Sequence, residues 1–107
     1  MADVPAAAQS ALNAANAGDV EAFLDAFVEG DGSVDDWGRV FHGRDAIRGW
    51  SDSEFIGKQV SLEVTGVRTD GATTVVSAQV GGNGFNGPSD FAFEVSGDKV
   101  AQMTISG

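Results

Sequence analysis

The amino-acid sequence has no cysteine, no tyrosine and a single histidine, His42. Without cysteine there can be no disulfide, no thiolate metal site and no cysteine nucleophile. One histidine is too few for a typical zinc site, or for an iron site of two histidines and one carboxylate. Carboxylates alone can bind magnesium or calcium, but no spaced Asp/Asn loop motif supports such a site. We therefore expect no metal, and we expect no cofactor either, since Gly81-Gly82-Asn83-Gly84 is not a dinucleotide-binding fingerprint.

Basic residues are also scarce, with six Lys and Arg against sixteen Asp and Glu and a net charge of −10. Such a surface repels phosphate backbones and anionic lipids, which argues against nucleic acid and membranes as partners. The negative charge is explained by a requirement for solubility or by an acidic bias of the whole proteome. The alternative is that the acidic surface attracts a basic partner. The N-terminal stretch MADVPAAAQS lacks the basic and apolar regions of a secretion signal. We expect a cytoplasmic protein.

The length of 107 residues and the hydrophobic fraction of 42% fit one domain, residues 1–107, around one core. Its first half predicts three helices. Asp3 can cap the first, AAAQSALNAANA is a strong helix-forming run, and Gly18 ends it. Asp19 begins the second and Gly43 precedes the third. The apolar stripe of the second helix, with i, i+3, i+4, i+7 spacing, consists of Val20, Phe23, Leu24 and Phe27.

The second half alternates apolar and polar residues with the period of two that is typical of β-strands. The predicted strands are a short one at 33–37 and four longer ones near 58–69, 73–81, 88–96 and 99–106. Asp70-Gly71 is a hairpin-turn signal. The glycine-rich segment 81–88 predicts a flexible hairpin or a flap over a pocket. Helices followed by a meander of strands indicate an α+β fold class.

Several short motifs, taken in order, resemble the nuclear transport factor 2-like superfamily and specifically its small SnoaL-like members. They are Gly18-Asp19 with the apolar stripe that follows, Asp35-Asp36-Trp37-Gly38, Phe41 to Ile47, and Gly97 to Val100. The resemblance covers roughly residues 5–106. The superfamily includes ketosteroid isomerases, polyketide cyclases and limonene-epoxide hydrolases. Because these proteins have different activities, the resemblance predicts the fold more closely than the function.

The resemblance implies a cone, in which a curved antiparallel sheet wraps around three N-terminal helices as in cystatin-like α+β barrels. The open end of the cone would be a pocket for a small hydrophobic molecule, and the outer sheet face would form a homodimer. The sequence agrees, because Val75 beside Val76 and Phe91 beside Ala92 place apolar residues on both faces. Left uncovered, such an outer face would expose an apolar patch, so we expect a homodimer.

Asp36 is the candidate catalytic residue. The resemblance implies this role, since the general base of the ketosteroid isomerases is an aspartate at the end of the same strand. Proton abstraction next to a carbonyl also requires donors that stabilise the enolate. The isomerase's two donors fall at Ala11 and near Phe91, which have no such group, so steroid isomerisation is not expected. The alternative is a structural carboxylate that caps a turn or pairs with Arg39 or Arg44.

Aromatic side chains are expected to form the apolar wall of the pocket. The residues that we expect to contact a ligand are Trp37, Trp50, Phe55, Phe91 and Phe93. For each of them, packing in the core is the alternative. Arg39, Arg44 and Arg48 form a local cluster of cations. They either neutralise neighbouring aspartates or anchor a ligand carboxylate.

Three functions are compatible with these features. The first is a cofactor-free enzyme that uses acid–base chemistry on a small hydrophobic carbonyl or polycyclic compound, as an isomerase, cyclase or hydrolase would. The second is a non-catalytic domain that binds a small molecule. The third is a structural dimerisation module whose cone is filled by its own side chains. An open cavity that reaches Asp36 would separate the first two functions from the third.

Overall fold

The computed structural model describes residues 4–107, which form three α-helices, one 3-10 turn and one six-stranded sheet. The helices are α1 (Ala6–Ala17), α2 (Val20–Asp25) and α3 (Arg44–Glu54), and the 3-10 turn is η1 (Ile56–Lys58). The strands are β1 (Ser33–Asp36), β2 (Arg39–His42), β3 (Ser61–Asp70), β4 (Thr73–Gly81), β5 (Gly87–Ser96) and β6 (Lys99–Ser106). No helix in the described part of the chain is long and apolar enough to cross a membrane.

The helix boundaries follow from local chemistry. Gly18 ends α1 in the left-handed conformation with φ of 72°, which glycine adopts without a steric penalty. The side chain of Asp19 accepts a hydrogen bond from the backbone N–H of Ala22 at 3.1 Å and so caps α2. Pro5 is the N-cap of α1, and the predicted cap Asp3 lies outside the described residues. Gly43 precedes α3, as predicted.

The sheet has the strand order β2-β1-β6-β5-β4-β3 and is mixed. β1 runs parallel to β6, and all other neighbouring pairs are antiparallel. The sequence predicts five strands and no strand at β2. The four residues of β2 are mostly exposed, so they lack the alternating apolar pattern that marks a longer strand. β3 also begins later than predicted, at Ser61, because residues 56–58 form η1.

One core lies between the helices and the concave face of the sheet. Phe23 and Phe27 are 0% and 4% exposed, so both are buried as predicted, but α2 ends at Asp25 and Phe27 lies beyond the helix, where it forms a bridge with Val100. Register shifts occur between Val64 and Gly66 in β3, and between Glu94 and Val95 in β5. Such irregularities increase the local twist and bend a strand, so they help the sheet to wrap around the helices. The largest side chains that are almost fully buried are Phe23, Phe91, Phe93, Ile47 and Met103.

The convex face of the sheet differs from expectation. Phe91 and Phe93 point into the core, so the alternate residues of β5 lie on the other face. In register across β4, β5 and β6 these outward positions include Val75, Ala92 and Thr104. Val75 is only 8% exposed, and most of its neighbours on that face are polar or small. Apolar residues are therefore concentrated on one face rather than on both.

Candidate functional site

A cavity of about 350 Å³ opens between α3, η1 and one end of the sheet. This volume lies in the range of natural small-molecule sites. The residues that line it are Asp36, Trp37, Arg39, Trp50, Glu54, Phe55, Lys58, Val60, Val80, Gly81, Gly84, Phe85, Ser89, Phe91 and Ile105. The cone is therefore open at this end and not completely filled by its own side chains.

Asp36 lies on the wall of this cavity, at the last position of β1. Its backbone is held between Ile105 of β6 and Arg39 of β2, and its side chain is 16% exposed. Oδ2 accepts a hydrogen bond from the indole N–H of Trp50 at 3.0 Å and another from Nη2 of Arg39 at 2.7 Å. Within residues 4–107, Oδ1 accepts no hydrogen bond from a side chain or a backbone N–H. One carboxylate oxygen is thus fixed and the other is available.

Arg39 joins Asp36 to a second carboxylate, that of Glu54 in α3. Its Nη1 and Nη2 donate to the two oxygens of Glu54 at 2.9 and 2.7 Å, which is a bidentate pair. These hydrogen bonds raise the pKa of Arg39 and lower the pKa of Glu54. The three ionised side chains carry a net charge of −1. Because Arg39 is 54% exposed, its ion pairs with Asp36 and Glu54 contribute little to the stability of the fold. Their main effect is to hold the two carboxylates in place.

From the sequence, either Arg39 or Arg44 could pair with Asp36. In the structure only Arg39 contacts it. Arg44 donates instead to Asp25 and Glu21 of α2, and Arg48 also pairs with Glu21. Arg39 forms its bidentate pair with Glu54. It therefore contacts only one carboxylate oxygen of Asp36, Oδ2, and leaves Oδ1 free. Glu54 was not among the residues predicted from the sequence. Its spacing of four residues from Trp50 was the available signal, since i and i+4 share a helix face.

The aromatic wall consists of three buried side chains and two exposed ones. Trp50 and Phe55 stack with ring centroids 4.8 Å apart, and Phe91 lies 6.4 Å from Phe55. Trp37 and Phe85 are 63% and 57% exposed at the mouth of the cavity. Phe85 was not among the predicted residues. Phe85 lies in a glycine-rich segment without strand periodicity, so its position at the cavity could not be predicted.

Phe93 does not line the cavity, in contrast to the prediction. It lies on the same face of β5 as Phe91, but two residues further from the open end of the cone. Its partners in the sheet are Thr74 and Met103, and its side chain is 0% exposed. The period of two correctly assigned the face of the strand, but it contains no information about depth along that face.

Trp37 occupies a strained position in the turn between β1 and β2. Trp37 and Gly38 form a two-residue hairpin loop with φ of 54° and 90°, the pattern of a type I′ turn. Such turns favour Asn, Asp or Gly at the first position, and a left-handed backbone is uncommon for a large side chain. Strain of this kind is most often retained at functional sites. An exposed ring at the cavity mouth fits that pattern.

The two positions at which the sequence resemblance implies enolate donors, Ala11 and Phe91, offer no hydrogen-bond donor from their side chains. Ala11 is buried in the core at 1% exposure, and Phe91 offers only an aromatic ring. Asp90 points to the convex face, where the hydroxyl of Ser77 donates to it at 2.7 Å. Ser89 is buried and lines the cavity, although it was not predicted from the sequence. His42 is exposed and is not among the residues that line the cavity.

Comparison with solved structures identifies the fold. The protein is similar to a proposed polyketide cyclase from Sinorhizobium meliloti, with a TM-score of 0.83, 23% identity, and coverage of 97% of this chain and 96% of the other. It is also similar to a Catenulispora acidiphila protein with a ketosteroid isomerase-like fold, in complex with trimethylamine. That match has a TM-score of 0.80, 20% identity, and coverage of 98% and 87%.

A third similar structure is a computationally designed 17-OHP binder, with a TM-score of 0.80, 16% identity, and coverage of 99% and 92%. No protein-family model and no curated protein sequence matches this chain. Cystatin-fold and NTF2-like proteins are further structural neighbours. The protein therefore has the α+β fold of the NTF2-like proteins, as the sequence motifs predict.

Proposed function

We propose that this protein binds a small molecule that has a flat apolar body and one hydrogen-bond donor. The observation that carries the proposal is a carboxylate with one free oxygen, that of Asp36, on the wall of an open aromatic cavity. The body of the ligand would lie against Trp50, Phe55 and Phe91. Its donor would reach Oδ1 of Asp36. An apolar pocket with a few placed polar groups is the usual form of a small-molecule site.

Two structural neighbours support a small-molecule binding role for this protein. One is the Catenulispora acidiphila protein in complex with trimethylamine, and the other is the designed 17-OHP binder. The same fold thus accommodates small organic molecules of different chemistry in other proteins.

Acid–base chemistry by Asp36 is the second candidate, and the free Oδ1 oxygen favours it. An oxygen that accepts no hydrogen bond can accept a proton from a bound ligand. In this proposal the N–H of Trp50 and the guanidinium of Arg39 hold the carboxylate in place through Oδ2. Steroid isomerisation is not part of the proposal, because the corresponding enolate donors are missing at Ala11 and Phe91.

Asp36→Asn tests the binding role with a matched pair of probes, 2-naphthol and 2-methylnaphthalene. We expect the wild type to bind 2-naphthol about fivefold more tightly, because a carboxylate accepts a strong hydrogen bond from its hydroxyl. In Asp36→Asn this preference should disappear, while 2-methylnaphthalene binds as before. Quenching of tryptophan fluorescence measures both affinities. If Asp36 is also a base, turnover of a cognate substrate should be lost while its binding persists.

Asp35→Asn is the control for that experiment. Asp35 precedes Asp36 on β1 and faces the other side of the sheet, where it accepts a hydrogen bond from the backbone N–H of Gly38 at 2.8 Å. This variant should retain the preference for 2-naphthol. A wild type that binds both probes equally, or an Asp36→Asn variant that loses only thermal stability, would show that Asp36 is structural.

We also propose a homodimer that uses the convex face of the sheet. The face has short side chains such as Ala92 and Thr104 at its centre, which permits close approach of a second sheet. Sedimentation velocity at micromolar concentration and physiological salt should detect a dimer. Ala92→Arg should convert it to a monomer, whereas Asp31→Arg in an exposed loop should not. A monomeric wild type would contradict this prediction.

A further inference from the structure

Lys58 differs from the other cations of this protein. Of the six Lys and Arg residues, the four arginines form ion pairs with Asp or Glu, and Lys99 donates to the backbone oxygen of Asp25 at 2.7 Å. Within residues 4–107, Lys58 has neither an ion pair nor a hydrogen bond from its ammonium group. Sixteen acidic residues are present, so an unpaired cation is unusual in this chain. Lys58 also lines the cavity.

The glycine-rich segment 81–88 holds Lys58 at this position. The backbone N–H of Asn83 donates to the carbonyl oxygen of Lys58 at 2.8 Å. A β-carbon at Gly82 would lie 2.9 Å from that oxygen, and one at Gly84 would lie 3.3 Å from Cβ and Cγ of Lys58. Larger residues would therefore push the segment away from η1. The glycines allow the loop to pack on the backbone and the stem of Lys58, while its ammonium group remains free.

We propose that Lys58 binds an anionic group of the ligand at the mouth of the cavity. This inference rests on the proposed function and narrows the ligand to an apolar molecule that carries both a hydrogen-bond donor and a carboxylate or similar acidic group. Asp36 would accept from the donor, and the Lys58 ammonium would pair with the anion. The rest of the surface repels anions because of the net charge of −10. Among residues 4–107, Lys58 is the one cation without a partner beside the aromatic wall, so it would favour ligands that have both an apolar body and an anionic group.

Three probes with one scaffold test the proposal: 6-hydroxy-2-naphthoate, its neutral carboxamide, and the cationic 6-aminomethyl-2-naphthol. We expect the wild type to bind the carboxylate about fivefold more tightly than the carboxamide at low salt, with the amine weakest. The preference for the carboxylate should shrink at high salt, because Lys58 is exposed and its attraction is screened. Isothermal titration calorimetry gives all three affinities.

Substitution of the lysine then assigns the effect. Lys58→Gln should remove the preference for the carboxylate and leave the carboxamide affinity unchanged, and Lys58→Arg should retain the preference. Lys99→Gln is the matched control, which removes one cation from the protein at a distance from this cavity and should leave the preference intact. If Lys99→Gln reduces it equally, the effect comes from net charge and not from Lys58.

Three results would overturn the inference. They are equal binding of carboxylate and carboxamide by the wild type, tighter binding of the amine, and a preference for the carboxylate that survives in Lys58→Gln. If the neutral carboxamide still binds in these cases, only the role of Lys58 is wrong and the proposed function stands. If none of the three probes binds, the proposed function fails and the inference fails with it.

Discussion

Gly57→Ala is expected to destabilise the protein by about 3 kcal/mol, whereas Gly49→Ala is expected to stabilise it by about 0.5–1 kcal/mol. A β-carbon at Gly57 in η1 would overlap the backbone carbonyl of Asp52, so the backbone of η1 or of α3 would have to move. At Gly49, in the middle of α3, a β-carbon meets nothing within 4 Å. Alanine there reduces only the conformational freedom of the unfolded chain.

Urea denaturation of the two variants and the wild type measures both effects. Because Lys58 follows Gly57 directly, the shift of η1 in Gly57→Ala should also weaken binding of 6-hydroxy-2-naphthoate. Gly49→Ala should bind it like the wild type. Equal stabilities of the two variants would mean that η1 tolerates displacement and that its contact with α3 does not fix the mouth of the cavity.

Trp37→Asn is expected to weaken binding of 2-naphthol about tenfold and to leave the protein as stable as the wild type, or up to about 1 kcal/mol more stable. Asparagine is favoured at the first position of a type I′ turn, so the substitution relieves the left-handed strain. It also removes an aromatic ring that is 63% exposed and therefore contributes little to the core. A gain in stability together with a loss of affinity is the usual sign of a functional residue.

Trp37→Phe is the control for this prediction. It keeps an aromatic ring at the cavity mouth and keeps the unfavourable backbone conformation. Its affinity should remain within about threefold of the wild type, with no gain in stability. Thermal unfolding and fluorescence titration with Trp50 as the reporter measure the two quantities. Wild-type affinity in Trp37→Asn would show that the ring does not contact the ligand.

The fold could be predicted from the sequence because its signals are local. Gly18 and Asp19 separate two helices, and alternation in the second half marks four long strands, all of which the structure contains. β2 escaped prediction because a four-residue edge strand has too few alternating positions to define a period. The parallel pairing of β1 with β6 was also not predicted, since no local pattern specifies which distant strand becomes a neighbour.

The candidate site was only partly predictable for the same reason. The motif Asp35-Asp36-Trp37-Gly38 led to Asp36 and Trp37, and the structure places both on the cavity. Phe93 shares the face of Phe91 but lies too deep, because periodicity assigns faces and not depth. Lys58, Glu54 and Ser89 reach the cavity through tertiary packing alone. These residue types are common on protein surfaces, so the sequence did not mark Lys58 or Ser89, and for Glu54 the only signal was its spacing of four residues from Trp50.

The parallel pairing of β1 with β6 also determines when the pocket can exist during synthesis. Asp36 is held opposite Ile105, and the neighbouring link between Ser33 and Gln102 joins residues 69 positions apart. Contacts between residues so distant in sequence form late in folding, because a long loop must close first. A ribosome releases Asp36 and Trp50 well before the residues of β6. A nascent chain therefore has both aromatic wall and carboxylate but no binding site until its last strand has docked.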